Sequence, residues 1–181
     1  MNSTTDVTQV SAALDERFGA GKYRLESLVT YARGVAGDQK YVRVPPAELL
    51  EVMRFLRDDP RCLFEQLCDL TGVDYLKFPK ARDRYGVNYS LLSLTHNRRL
   101  WVKCLVNDPD PAVPSVTGIW QGADWLEREV YDLFGVRFEG HPDLRRIMTW
   151  EGFGSYPLRK DYPLRGKGER ENYPVVTRES A

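Results

Sequence analysis

Residues 84–106, RYGVNYSLLSLTHNRRLWVKCLV, decide the fold class. Arg84–Thr95 and Arg98–Val106 are both rich in β-branched, aromatic and leucine side chains, with a short turn around His96-Asn97 between them. Two strand-forming runs joined by so short a link predict an antiparallel hairpin. In the second run Val102, Cys104 and Val106 alternate with Trp101, Lys103 and Leu105. Both sets are largely apolar, so this strand is expected to be central and covered on both sides.

Working outward, Val73–Phe78 reads as a short third strand and residues 61–70 as a short helix. Pro45 and Pro46 open a helix whose buried stripe is Leu49, Val52, Met53 and Leu56, and Asp58-Asp59-Pro60 ends it. Before it, residues 24–31 and Tyr41-Val42-Arg43-Val44 read as strands, with a turn at Gly37-Asp38. Residues 5–18 form a first helix on Val7, Val10, Leu14 and Phe18, closed by Gly19. Downstream, three prolines between Asp108 and Pro114 make that stretch a loop. Helices in front and strands behind, without strict βαβ alternation, predict an α+β fold. Its mixed or antiparallel sheet has helices packed on one face over residues 1–135, and an extended C-terminal arm follows over 136–181. The tail past Gly168 is expected to be mobile.

Charge and cysteine content remove several function classes. The 26 basic residues balance 26 acidic ones, which argues against a general nucleic-acid binder. No run of about 18 apolar residues is present, so no membrane span is expected. MNSTTDVTQV has neither the basic nor the apolar region of a secretory signal. Three cysteines, Cys62, Cys68 and Cys104, and two histidines, His96 and His141, fall short of a cluster or zinc site and lie in no CxxC or HxxxH spacing. All three cysteines read as buried free thiols rather than metal ligands. No phosphate-binding glycine motif and no nucleophile elbow occur.

The loaded segment begins at Asp124. Asp124–Gly135 reads as a helix with Asp124 as N-cap, Glu127 completing a capping box, and Gly135 just past the end. Leu126, Val130, Leu133 and Phe134 form its apolar face, and Arg128 and Asp132 are spaced to pair. Glu127, Glu129 and Asp132 leave the rest acidic, either as a solvated face or as a face that meets a partner. Next come His141, Pro142 and Asp143, then the adjacent Arg145 and Arg146, which suit bidentate carboxylate pairing. His141 reads as a structural residue, since no nucleophile accompanies it. Pro157-Leu158-Arg159-Lys160-Asp161-Tyr162-Pro163 excludes a regular helix yet is rich in apolar residues. Such an arm packs either on another surface or on its own domain. Residues 120–143 hold six acids and two bases, net −4, while 145–170 hold seven bases and three acids, net +4. The two halves can pair with each other or with complementary surfaces.

These residues carry a family resemblance. Glu127-Arg128-Glu129, Asp132-Leu133-Phe134-Gly135 and Gly140-His141-Pro142-Asp143-Leu144-Arg145-Arg146-Ile147-Met148 resemble the signature of the 30 kDa (C-type) subunit family of the proton-pumping NADH-quinone oxidoreductase, respiratory complex I. Pro157-Leu158-Arg159-Lys160-Asp161-Tyr162-Pro163-Leu164 is similar to the family's second hallmark. One departure is Ser155-Tyr156, where the family often has Gly-His. The resemblance implies a non-catalytic structural and assembly subunit of the hydrophilic arm that itself binds no cofactor. It would dock against the quinone-site (D-type) subunit and the cluster-bearing (B-type) subunit, peripherally, at the cytoplasmic face of the bacterial inner membrane. The complex as a whole carries electrons from NADH through FMN and iron–sulfur clusters to quinone and couples this to proton translocation. The docking residues implied are Glu127, Arg128, Glu129, Asp132, Gly135, His141, Pro142, Asp143, Arg145, Arg146, Pro157, Leu158, Arg159, Lys160 and Asp161. A related membrane-bound hydrogenase or deazaflavin-dependent dehydrogenase would use an equivalent subunit. A stand-alone enzyme working through His141, Asp143 and Arg145 is the contrasting expectation, and it requires a pocket closing around the three.

Overall fold

The computed structural model describes residues 4–29 and 36–169. Its elements are α1 (Thr4–Phe18), β1 (Leu25–Val29), β2 (Ala36–Arg43), α2 (Leu49–Asp58), β3 (Gln66–Asp74), β4 (Tyr85–Ser93), β5 (Arg98–Val106), β6 (Ala112–Pro114), α3 (Ala123–Phe134) and β7 (Arg137–Glu139). The five long strands form one mixed sheet in the order β1-β2-β5-β4-β3, in which only β2 and β5 run parallel. The fold is α+β, as the hairpin implied. β4 and β5 pair from Tyr85↔Val106 to Ser93↔Arg98, and Asn97 takes the left-handed turn conformation at φ 49°.

Strand alternation sorts the sheet into two faces. Val42, Val87, Tyr89, Leu91, Leu100, Val102 and Cys104 point into the core, where they meet Val10 and Leu14 of α1 and the predicted stripe of α2. α3 packs on β3 on this same face. A Cβ at Gly72 would stand 2.6 Å from the Phe134 ring, so glycine is what allows the close approach. Trp101, Lys103 and Leu105 lie on the opposite face and are only half-buried. The central strand is therefore covered on one side, not two, because every helix among the described residues sits on the Val102 side.

Several local expectations are corrected. Residues 66–70 belong to β3, not to a helix: Leu63, Phe64, Leu67 and Leu70 suit helical spacing, but β4 offers a sheet edge that takes the backbone bonds instead. The strand expected at 73–78 is the end of β3 followed by a turn closed by Phe78 N–H to Tyr75 O at 2.8 Å. Gly37 and Asp38 lie within β2, and the connection before them falls in residues 30–35, outside the described residues. The proline loop contains β6, which pairs in parallel with β7 through Val113↔Phe138. Residues 136–139, expected to open the arm, thus first complete this second sheet, with Val136 and Phe138 buried. The tail from residue 170 lies outside the described residues.

Candidate functional site

Asp132 organises the chain that follows the core. On the inner side of α3 its side chain is fully buried. Oδ2 accepts the successive backbone N–H groups of Ile147, Met148 and Thr149 at 2.9, 2.6 and 2.8 Å. Oδ1 accepts Arg146 Nη1 at 2.8 Å and the Thr149 hydroxyl. Consecutive amides converging on one carboxylate make an anion nest, and the guanidinium supplies a charge-assisted bond. Burial opposes the charged form, but the Thr149 hydroxyl, the backbone amides and Arg146 outweigh it and hold the carboxyl below its usual range. Arg146 then extends the network: Nη2 donates to Ser155 O at 3.1 Å, and the guanidinium lies 5.0 Å from the Tyr156 ring centroid.

A second clasp holds residues 156–161 against the end of α3 and the sheet. Leu158 N–H donates to Leu133 O at 3.1 Å, and Arg159 Nε to Phe134 O at 2.6 Å, which satisfies carbonyls left free at the helix end. Lys160 N–H reaches the buried Asp74 at 2.7 Å, and Asp161 pairs with Arg84 at 2.6 Å. Arg84 also meets Asp108 at 2.5 Å. Gly135 ends α3 with φ 74°, and a Cβ there would stand 2.5 Å from Tyr156 and 2.6 Å from Arg159. Gly135→Ala is expected to cost about 2–4 kcal/mol from left-handed strain and displacement of the clasp. Urea denaturation measures the loss, and limited proteolysis should show new cleavage in residues 155–161.

A third cluster lies at the start of α3. His141 Nδ1 accepts Asp143 N–H at 3.0 Å, so the ring hydrogen is on Nε2. Nε2 faces the Asp124 carbonyl at 3.2 Å, Asp124 Oδ1 at 3.4 Å and Glu127 Oε2 at 3.9 Å. One N–H cannot satisfy three acceptors, and both carboxylate oxygens are left without a hydrogen-bond partner. Glu127 Oε1 accepts Val116 N–H at 2.7 Å. Burial pushes the Glu127 carboxyl up to about 7, Asp124 pushes it the same way, and bonds from Ser115 and Val116 oppose them.

The predicted site residues therefore divide. Glu127, Arg128, Asp132, Gly135 and the His141 side chain face inward, and Arg146, Pro157 and Arg159 are half-buried. Glu129, Pro142, Asp143, Arg145, Leu158, Lys160 and Asp161 are exposed. The capping box is not formed: α3 begins at Ala123 after Gly122, without a side-chain cap, and Glu127 turns inward to Val116. Arg128 and Asp132 do not pair. Arg128 lies 4.6 Å over the Trp125 ring and approaches Asp124 at 4.0 Å, because Asp132 is taken by Arg146. The helix's polar side is solvated only in part, since Glu127, Arg128 and Asp132 are buried and Glu129 is exposed. His141, Asp143 and Arg145 do not close a pocket: the His141 side chain is buried, whereas Arg145 and Asp143 pair in solvent at 2.9 Å.

Sequence reasoning missed Asp74 and Arg84, whose partners Lys160 and Asp161 lie 86 and 77 positions away along the chain. It also passed over Trp125, which lies off the apolar face of Leu126, Val130, Leu133 and Phe134 and is 63% exposed. Of the thiols, Cys62 and Cys104 are buried, with burial raising the first to about 11 and the second to about 12, whereas Cys68 is exposed on β3 rather than buried. The outer surface of the arm displays Met148, Trp150, Leu158 and Leu164, the last fully exposed.

A model of the family described as respiratory-chain NADH dehydrogenase, 30 kDa subunit, matches residues 42–168. The chain is 45% identical over 161 residues to the second C-type subunit of NADH-quinone oxidoreductase from Rhizobium etli, covering 89% of this chain and 80% of that one. It is 45% identical over 158 residues to the mitochondrial NADH dehydrogenase [ubiquinone] iron-sulfur protein 3 of Candida albicans, where it covers 86% of this chain but only 55% of the relative. Among solved structures it is similar to a trypsin-resistant fragment (1–134) of Nqo5, with a TM-score of 0.60 and 33% identity, covering 79% of this chain and all of that one.

Proposed function

The chain belongs to the 30 kDa subunit family of respiratory-chain NADH dehydrogenase, and from that premise we propose that it is a cofactor-free structural subunit of the hydrophilic arm of a proton-translocating NADH-quinone oxidoreductase. In this reading it docks on the quinone-site subunit and the cluster-bearing subunit at the cytoplasmic face of the membrane. FMN, iron–sulfur clusters and quinone belong to its neighbours.

One observation carries the docking role. The segment 145–164 is pinned from inside by Asp132, Asp74 and Arg84, yet it turns Met148, Trp150, Leu158 and Leu164 outward. An irregular segment gains nothing on its own from exposing four large apolar side chains. A rigidly presented apolar strip is what a permanent partner covers. Trp125 lies on α3, the helix whose far end the same segment clasps, and adds a further exposed aromatic. As for cofactors, the described residues bring together no group of three or more His, Cys, Asp or Glu side chains suited to hold a metal ion.

The test is recovery of the tagged chain from native membranes after mild detergent extraction. The quinone-site and cluster-bearing subunits, with the rest of the hydrophilic arm, are expected to accompany it. Recovery of the chain alone overturns the reading, and stoichiometric flavin or iron–sulfur absorbance in the purified chain overturns its cofactor-free part.

A further inference from the structure

The face of the sheet turned away from the helices carries a cleft of about 540 Å³ beneath the β3–β4 connection. Tyr41, Lys103 and Leu105 on the neighbouring strands β2 and β5 form its floor, and Tyr75, Phe78 and Arg82 its wall. Lys103 Nζ lies 4.7 Å from the Tyr41 ring centroid and 5.8 Å from that of Tyr75. Charge in the cleft is one-sided. Arg43, Lys80, Arg82 and Lys103 line it, against the single carboxylate of Asp83, which already accepts Asn107 Nδ2 at 2.8 Å. Arg43 is paired with Glu26 at 3.3 Å, whereas Lys80, Arg82 and Lys103 form no ion pair among the described residues.

The wall of the cleft is anchored. Arg84 N–H donates to Asn107 Oδ1 at 2.7 Å, and Arg84 is held by Asp108 and Asp161. Lys80 takes the left-handed conformation at φ 65°, which a non-glycine residue adopts only at a cost. A solvated sheet face with scattered cations is ordinary. Here, however, the lip of the cleft adds apolar surface, with Leu76 49% and Phe78 61% exposed. A small anion seated over Lys103 would neutralise the charge but leave these side chains in water. A polypeptide crossing the cleft and its lip covers both.

We propose that this cleft docks an acidic segment of another subunit of the same complex, placing a carboxylate on Lys103 and apolar side chains against Leu76 and Phe78. The proposal rests on the subunit reading above. Its surface is separate from the apolar strip of the arm, so the chain would be gripped at two places.

The test uses the whole complex extracted from native membranes. A water-soluble carbodiimide condenses a lysine amine with a carboxylate in direct contact, with loss of water. Peptide mass spectrometry is expected to find Lys103 joined to an Asp or Glu of a different subunit. The double variant Lys103→Glu/Arg82→Glu is expected to recover that subunit at least threefold less well. If Lys103 in the assembled complex is acylated as readily as in the isolated chain and forms no cross-link, the face is open to water and the proposal is overturned. Protection of Lys103 in the isolated chain by ADP or pyrophosphate also overturns it, in favour of a small anion. If the wild-type chain is recovered alone, the subunit reading itself fails. If partners are recovered but Lys103 stays reactive, only this proposal fails.

Discussion

Asp132→Ala is expected to destabilise the protein by about 3–5 kcal/mol and to release residues 145–161 to proteases. The substitution leaves the guanidinium of Arg146 mostly buried without its carboxylate, and three backbone N–H groups lose their acceptor. Removing one partner of a buried ion pair costs far more than the pair contributes, because an uncompensated charge remains. The double variant Asp132→Ala/Arg146→Met should therefore be less destabilised than the sum of its single variants. Denaturant unfolding measures both numbers, and limited proteolysis with mass spectrometry locates the released segment. A loss below about 1 kcal/mol with unchanged cleavage would show that the arm holds without this carboxylate. Asp132 is kept below its usual range, so its contribution is present above about pH 3.8 and is lost only as pH falls through its lower folded value.

Glu127 acts in the opposite direction and in a different pH window. Its carboxyl is raised from 4.5 to about 7 in the folded chain, so between those values the folded state holds a proton that the unfolded state has released. Stability therefore falls as pH rises through that window and levels off above it. A shift of this size corresponds to about 3 kcal/mol. Glu127→Gln keeps an oxygen for Val116 N–H but cannot ionise. Its stability relative to wild type is expected to improve by about 3 kcal/mol between pH 4.5 and pH 8. Parallel denaturation series at closely spaced pH values read this directly. Equal slopes for the two proteins would mean that Glu127 is ionised throughout and that the Glu127–His141–Asp124 cluster is solvated.

The elements legible in the sequence are those whose signal is local. The β4–β5 hairpin, the apolar stripe of α2 and the glycine that ends α3 each follow from periodicity or a single conformational requirement within a few residues. The helix expected at 61–70 failed because Leu63, Phe64, Leu67 and Leu70 fit two periodicities. Only the edge of β4 made the choice, and it lies some twenty residues later in the chain. For the candidate site the residue list was legible but the geometry was not. The family-like run 127–161 contains the residues that interlock, yet spacing suggested an Arg128–Asp132 pair and an Asp124 cap. Tertiary contacts instead gave Asp132 to Arg146 and turned Glu127 toward Val116.

What the sequence determined by itself is the fold class, the family likeness and the presence of opposed charges on the two halves of residues 120–170. What only the tertiary structure decided is how those charges are spent. Asp132–Arg146 and Asp161–Arg84 are consumed within the chain, while Glu129 and Lys160 remain at the surface and the Lys103 cleft keeps an excess of positive charge. The physical reason is burial. A charge pattern along the chain states which groups exist, but a group taken out of water must find its partner in space, and that partner is set by how helix, sheet and arm pack together.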